Sequence, residues 1–431
     1  MPASPSTARA INDRLALGLL QQEGPLTAGQ LKQLTGLSRP TVADLVERLT
    51  SAGLITVVGE SGEQRRGPNA RLYGIVADQA HLAALDVRTG GVFVLVSDLV
   101  GRVLAEASVP IGGETGTGPA VEQAVAAVER TVKEAGAVGR LHTVGIGAPG
   151  LIDPSTGDLR DSGGLPEWHR SLAAALQERL PGARVTVENE TNLAALAEQR
   201  EGAARDRDTF VLLWLGHGVG AAVVLDGTLR RGASGGTGEI GFLPVPGTAS
   251  LPSARDCDGG FHSLAGAAAI SSLAAECGLP VPAPMDGPGA AVVIREAVAE
   301  LTEDKAVHPG ADRPAGPGAV HPGAEPFVGS GGAGAVRSAE RFLHRLADRI
   351  AVGAASVVAV LDPGCVVLGG EAGQAGGPVL AGLVEERLRQ MSPLLTEVRA
   401  STLGGAAVLR GALLTARDRA QDELFAPPDR N

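Results

Sequence analysis

TGLSRPTVADLVERLTSAGLI, Thr35 to Ile55, carries both the start and the stop of a helix. Ser38 is a good N-cap, because its hydroxyl can accept from an amide of the first turn. Pro40 fits that turn, where a missing N–H costs nothing. Val42, Leu45, Val46 and Leu49 then fall at i, i+3, i+4 and i+7, a single apolar stripe, and Gly53 ends the helix. Upstream, Thr27-Ala28-Gly29-Gln30 reads as a capping box opening a helix whose buried face is Leu31 and Leu34 and whose turn is Gly36. Before it, Ile11, Leu15 and Leu19 stand four apart in a segment from Ala8 to Leu20, which predicts one more amphipathic helix. Two helices joined by a short glycine turn make a helix-turn-helix. Leu54–Val58 and Arg71–Val76 read as strands flanking a polar loop, so residues 1–76 are expected to form a winged helix-turn-helix.

Such a head can read DNA. Ser38, Arg39, Pro40 and Thr41 would meet bases or phosphates at the start of the recognition helix, with Arg48 further along it. Arg65, Arg66 and Arg71, around Gly67 and Pro68 at the hairpin tip, suit a loop that enters a minor groove or sits on phosphates. The competing reading is a protein-interaction module, and Asp44 and Glu47 on the outer face of the helix do not help DNA binding. Charge distribution favours the DNA reading. The chain carries a net −11, yet residues 1–75 hold eight Lys/Arg against six Asp/Glu. The acidic remainder would be repelled by DNA, so any such contact belongs to the head.

At 431 residues two or three domains are expected. Aromatics are 2% of the chain, so the core must be built from Ala, Val, Leu and Ile. Cys257, Cys277 and Cys365 are odd in number and far apart, which argues against a disulfide framework and fits a reducing cytoplasm. No apolar run reaches the roughly 18 residues a membrane helix needs, and MPASPSTARAINDR lacks the apolar core of an export signal.

From about His81 strands and helices alternate. Leu82–Val87, Val92–Ser97 and Val103–Ile111 read as a three-strand meander. A helix over 118–134, the strand around Val144–Gly150, a helix near Ser171–Leu180, the strand Val185–Glu188 and a helix from Thr191 follow. A second half begins at Thr209, with strands Phe210–Leu215 and Ala221–Leu225. It closes with helices near Ala339–Leu361 and Pro378–Gln390, the strand Val366–Gly369, and a last helix near Ala406–Arg419. This order predicts an α/β fold of two ribonuclease-H-like lobes, as in actin-type and sugar-kinase-type ATPases, with a ligand cleft between them.

Several motifs carry a resemblance. They are Val144–Gly150 (VGIGAPG), Val187–Asn192 (VENETN), Leu215–Gly220 (LGHGVG), Gly238–Phe242 (GEIGF), Leu361-Asp362-Pro363 and Val367–Gly370 (VLGG). Over nearly its whole length the chain resembles the ROK family of repressors, sugar kinases and open reading frames. A winged helix ahead of that body is similar to the regulator branch, which the resemblance implies binds operators and responds to a sugar or sugar phosphate.

The kinase branch, as the resemblance has it, needs a first phosphate loop Asp-x-Gly-Gly-Thr, a catalytic Asp after Asn, and a zinc site of one His and three Cys. This chain has Asp86-Val87-Arg88-Thr89-Gly90, with an arginine where backbone must approach phosphate. It has Asn189-Glu190, whose extra methylene moves the carboxylate by roughly 1 Å, a shift that can cost ~100-fold in rate. Phe242 replaces the His, and Asp256–His262 keeps one cysteine, too few thiols for tetrahedral zinc. The expectation is therefore no catalytic residue, no metal and no cofactor. The alternative is an ATP-dependent sugar kinase with an accessory DNA-binding domain.

The same resemblance places a ligand site at Asn189, Glu190, Glu239 and His262. Converging amide and carboxylate groups suit a polyol, whose hydroxyls each need a donor and an acceptor. The competing reading is that these residues cap turns and helices. The Gly-rich Leu215–Gly227 reads mainly as a tight strand–turn–strand. Residues 305–335, in which AVHPGA at 306–311 recurs at 319–324, read as a low-complexity Pro/Gly surface loop. Residues 80–425 are thus expected to bind the effector and to dimerise. The whole is expected to be a cytoplasmic transcription regulator, a repressor acting as homodimer or homotetramer. Its partners would be a double-stranded operator, read by two heads ~34 Å apart, and a sugar-like effector, with no membrane.

Overall fold

The computed structural model describes residues 5–61, 70–160, 165–253, 259–307 and 332–425. The head opens with α1 (Pro5–Glu23), the short β1 (Leu26–Thr27), α2 (Ala28–Thr35) and α3 (Arg39–Ser51), and closes with the hairpin β2 (Ile55–Glu60) and β3 (Arg71–Ile75). The strands form one sheet in the order β1-β3-β2. The capping box is present as read. Thr27 Oγ1 accepts from the Gln30 amide at 3.2 Å, and Gln30 Oε1 accepts from the Thr27 amide at 2.9 Å. Gly36, at φ +69°, supplies the left-handed turn that leads to Ser38. Val42, Leu45, Val46 and Leu49 are all buried.

Two apolar faces are corrected. On α1 the buried positions are Ala16, Leu17 and Leu20, while Ile11 and Leu15 are exposed. Asp13, Ala16, Leu17 and Leu20 form the i, i+3, i+4, i+7 set, so the inward stripe contains a carboxylate. Arg48 answers it at 2.6 Å. On α2 Leu31 is buried but Leu34 is exposed.

The body continues with β4 (His81–Arg88), β5 (Gly91–Asp98), β6 (Val103–Pro110), α4 (Thr117–Glu134), β7 (Leu141–Ala148), α5 (Trp168–Arg179), β8 (Arg184–Asn189) and α6 (Glu190–Glu201). Then come β9 (Phe210–Leu215), β10 (Val219–Leu225), β11 (Thr228–Arg230), α7 (His262–Ala265), α8 (Ala267–Glu276), α9 (Gly287–Val307), α10 (Gly332–Leu361), β12 (Cys365–Gly369), α11 (Gly370–Met391), β13 (Glu397–Ala400) and α12 (Ala407–Leu424). The sheets run β6-β5-β4-β7-β8 and β11-β10-β9-β12-β13. In each, the first strand pairs antiparallel with the second and parallel with the fourth. The same order in both sheets is the duplicated ribonuclease-H-like architecture. The sequence reading missed β1, β11, β13, α7, α8 and α9, and it started β10 two residues late. The Pro/Gly loop expected at 305–335 lies largely outside the described residues.

The chain forms two compact units. One holds Met1–Ala148, Pro166–Glu188 and Ala412–Asn431; the other holds Pro149–Leu165 and Asn189–Gly411. In the second unit the core is aliphatic, with Phe261 and Phe342 as its bulky members. Phe261 lies against Gly353 of α10, where an added Cβ would come within 2.2 Å of its ring. Only glycine leaves room there, so this notch fixes the residue just before His262.

In the first unit His169 of α5 is 4% exposed, stacked edge-on against Trp168 at 4.3 Å. Neither ring nitrogen has a hydrogen-bond partner among the described residues. Burial holds its pKa down to about 4, with the nearby Arg88 backbone acting weakly the other way. The unfolded ring, near 6.5, takes up a proton before the folded one does. Stability is therefore untouched above about pH 6.5 and falls between there and about pH 4, by at most about 1.4 kcal/mol per pH unit. His169→Phe, of similar size, should flatten that slope in denaturation midpoints measured from pH 7 to 4.

Candidate functional site

Asn189 ends β8 and caps α6. Its Oδ1 accepts from the Thr191 and Asn192 amides at 2.9 and 3.2 Å, and its Nδ2 donates to the Gly150 carbonyl at 2.9 Å. The capping role foreseen as the plainer alternative is thus real for Asn189, and the same bonds bring the loop after β7 onto the start of α6. Glu190 is the first residue of α6 and is half-buried.

That loop meets Glu239. At Gly236 an added Cβ would lie 3.6 Å from both the Glu239 Cγ and the Leu151 side chain, and at Gly235 (φ +81°) it would strike the Ile152 carbonyl at 2.0 Å. Gly238, at φ +91°, sits hard against the Ala221 carbonyl of β10. Glycine is therefore needed here for close backbone approach. Surrounding protein raises the Glu239 pKa by desolvation although its side chain is solvent-accessible.

His262 opens α7. Its Nδ1 accepts from the Val219 amide at 3.1 Å, which leaves the proton on Nε2 and ties the ring to the turn between β9 and β10. Burial, with His217 nearby as a lesser cause, lowers its pKa and keeps it neutral. Phe242 packs edge-on against it at 5.4 Å between ring centres. Asn189, Glu239 and His262 thus lie around one set of turns. Of the residues matched to the zinc segment, Asp256, Cys257 and Asp258 lie outside the described residues. Cys277 and Cys365 are buried free thiols.

Sequence reasoning missed Glu198. This carboxylate in α6 is 0% exposed and accepts from the Ala203 amide at 2.6 Å, the Ser401 hydroxyl and the Leu403 amide at 3.3 Å. A Glu near the end of a helix reads as a solvated face. No local signal marked it.

In the first unit Arg88 turns back on Asp86, its Nε and Nη2 donating to Oδ2 at 2.9 and 2.6 Å, and it covers the Phe93 ring at 4.6 Å. The guanidinium thus neutralises the buried Asp86 carboxylate within β4.

In the head, Ser38 Oγ accepts from the Thr41 amide at 3.3 Å and lies 2.8 Å from its hydroxyl. Arg39 is exposed beside them, and Arg71 is exposed at the start of β3. Arg48 is placed otherwise than a groove contact would need. It is half-buried and engaged by Asp13 and Asp44, and the bond to Asp13 is the main cause of its raised pKa. Arg65 and Arg66 lie outside the described residues. No described helix is long and apolar enough to cross a membrane.

Similar proteins agree with this anatomy. The xylose repressor of Caldicellulosiruptor bescii is 26% identical over 242 residues, 55% of this chain and 59% of that protein, so the match spans less than two thirds of the curated relative. A crystal structure of a ROK family transcriptional regulator, homologous to the E. coli MLC protein, superposes with a TM-score of 0.69 at 20% identity, over 97% of this chain and 98% of that one, which establishes the fold including the head. The ROK hexokinase of Thermus thermophilus superposes at 0.57 with 28% identity, over 79% of this chain and 99% of its own. Residues 11–67 match the MarR family model. With the ROK family model matching 84–278 and 333–419, on either side of the Pro/Gly-rich stretch, the chain belongs to the ROK family.

Proposed function

We propose that the chain is a DNA-binding transcriptional regulator, a repressor, whose operator affinity is set by a sugar or sugar-derived effector. The observation that carries the reading is the first turn of α3. It is capped by Ser38, opened by Pro40, and presents an exposed Arg39 in a head that is net cationic on an acidic chain. Residues 1–76 do the gripping and 80–425 hold the effector and pair the copies, as homodimer or homotetramer, in the cytoplasm. The effector contacts are Asn189, Glu190, Glu239 and His262. A repressor among its relatives supports the same reading.

The alternative is a sugar kinase with an accessory head. The Asp86–Arg88 pair speaks against it, because the guanidinium occupies space that a phosphate loop leaves to backbone. Footprinting on DNA upstream of the chain's own gene, with and without neutral sugars, tests the reading. Protection that a sugar weakens or strengthens is expected. Coupling of this kind is typically ~1–3 kcal/mol, or about 5- to 150-fold. Incubation with ATP and the same sugars should give no turnover. Rates of ~1–100 per second, usual for kinases, would overturn the proposal.

A further inference from the structure

We infer that Phe242 is a specificity-determining residue that takes a pyranose by its C–H face or an apolar substituent, and that the acidic groups beside it disfavour the corresponding sugar phosphate. The inference rests on the effector reading above and narrows it.

The geometry begins with the single 3-10 turn Ile240–Phe242 that follows Glu239. Such a turn has about three residues per revolution, so positions i and i+3 emerge on one side. The Phe242 amide donates to the Glu239 carbonyl at 3.3 Å, which closes that turn. Ile240 and Gly241 are buried, whereas Glu239 is exposed and Phe242 half-exposed. Carboxylate and ring therefore share the open face. His262 stands edge-on to the ring, with Nδ1 already accepting from Val219 and Nε2–H left to donate. Among the described residues, neither that N–H nor the Glu239 carboxylate has a hydrogen-bond partner. One acceptor and one donor thus flank a half-open aromatic surface. A pyranose matches this set, since its rim of hydroxyls surrounds a face of C–H groups whose burial on an aromatic ring is favourable.

Charge settles the phosphate question. Glu190 and Glu239 are acidic, and burial keeps His262 neutral. Two basic side chains on the flanking segments are already paired. Arg160 binds Asp153 at 2.8 Å, and Arg231 is also engaged. A phosphate here would meet the carboxylates of Glu190 and Glu239, and like charges in a partly desolvated site repel.

The test is calorimetric titration of the full chain with glucose, xylose and N-acetylglucosamine, and with the 6-phosphates of the two hexoses. At least one neutral sugar should bind, with its phosphate at least about tenfold weaker. Phe242→Ala should weaken the neutral sugar about tenfold or more. Phe242→Leu keeps apolar bulk, guards against misfolding, and should weaken it less. Glu239→Gln should weaken the neutral sugars and narrow the gap to their phosphates. If sugars bind but the phosphates bind as well, or neither Phe242 variant changes affinity, this inference is overturned while the effector reading stands. If no sugar binds the wild-type chain, the effector reading fails and takes this inference with it.

Discussion

Glu198→Ala should destabilise the second unit by about 3–5 kcal/mol, measured as the shift in its denaturation midpoint. Glu198 lies in α6 at 0% exposure, and its oxygens take the Ala203 amide, the Ser401 hydroxyl and the Leu403 amide. Removing the carboxylate leaves these part-buried donors without that acceptor, at up to about 1–3 kcal/mol each, less what an entering water recovers. Glu198→Gln keeps one acceptor oxygen but aims an NH2 at donors, so about half the loss is expected. The effect should reach the proposed effector site. α6 begins at Asn189 and Glu190, and its first turns are pressed against α12, where an added Cβ at Gly411 would strike the Leu193 carbonyl at 2.0 Å. Loosening the 401–403 turn should weaken sugar binding even at temperatures where the variant stays folded. A loss under about 1 kcal/mol would mean that water already serves these donors and that Glu198 does not position the site.

Glu198 also marks where reading a sequence stops. Features set by neighbours along the chain were legible. The Thr27–Gln30 box, the Ser38 cap, the Gly36 turn and the α3 stripe each need only three to seven residues to specify them. The strand order followed from the alternation of βα units, and the motifs around Asn189 and Glu239 led to one set of turns. Features fixed by distant partners were not legible. The inward face of α1 was misread because Asp13 interrupts it, and the arginine that neutralises Asp13 comes 35 residues later. β13 was missed because Glu397–Ala400 is short and half charged. Its place beside β12 is held by parallel pairing and by Arg399, which binds Asp206 and Glu397. Asn189 was singled out by its motif, and its cap was foreseen as the alternative, but its hold on the Gly150 carbonyl depends on the fold.

Arg39→Ala should weaken operator binding about tenfold for each head, hence about 100-fold for a two-headed complex, with the head's own stability nearly unchanged. Arg39 is exposed in the first turn of α3, where a bidentate base contact is worth ~1–3 kcal/mol. If it contacts phosphate instead, the slope of log affinity against log salt should fall by about one per head. Arg48→Ala should behave differently. Its guanidinium holds Asp13 of α1 at 2.6 Å and also binds Asp44. It thereby cancels the one acid on the recognition helix that it can reach, and it joins α1 to α3. Its loss leaves Asp13 on the buried face of α1 without that partner and restores a negative charge beside the groove. The expected result is a less stable head, by about 1–3 kcal/mol for a half-buried pair broken on one side, with weaker DNA binding as a consequence. The double variant Asp13→Asn/Arg48→Ala separates the two effects. If it recovers head stability and most of the operator affinity, Arg48 serves the fold; if stability returns and affinity does not, the unpaired charge of Asp44 beside the groove is what weakens DNA binding.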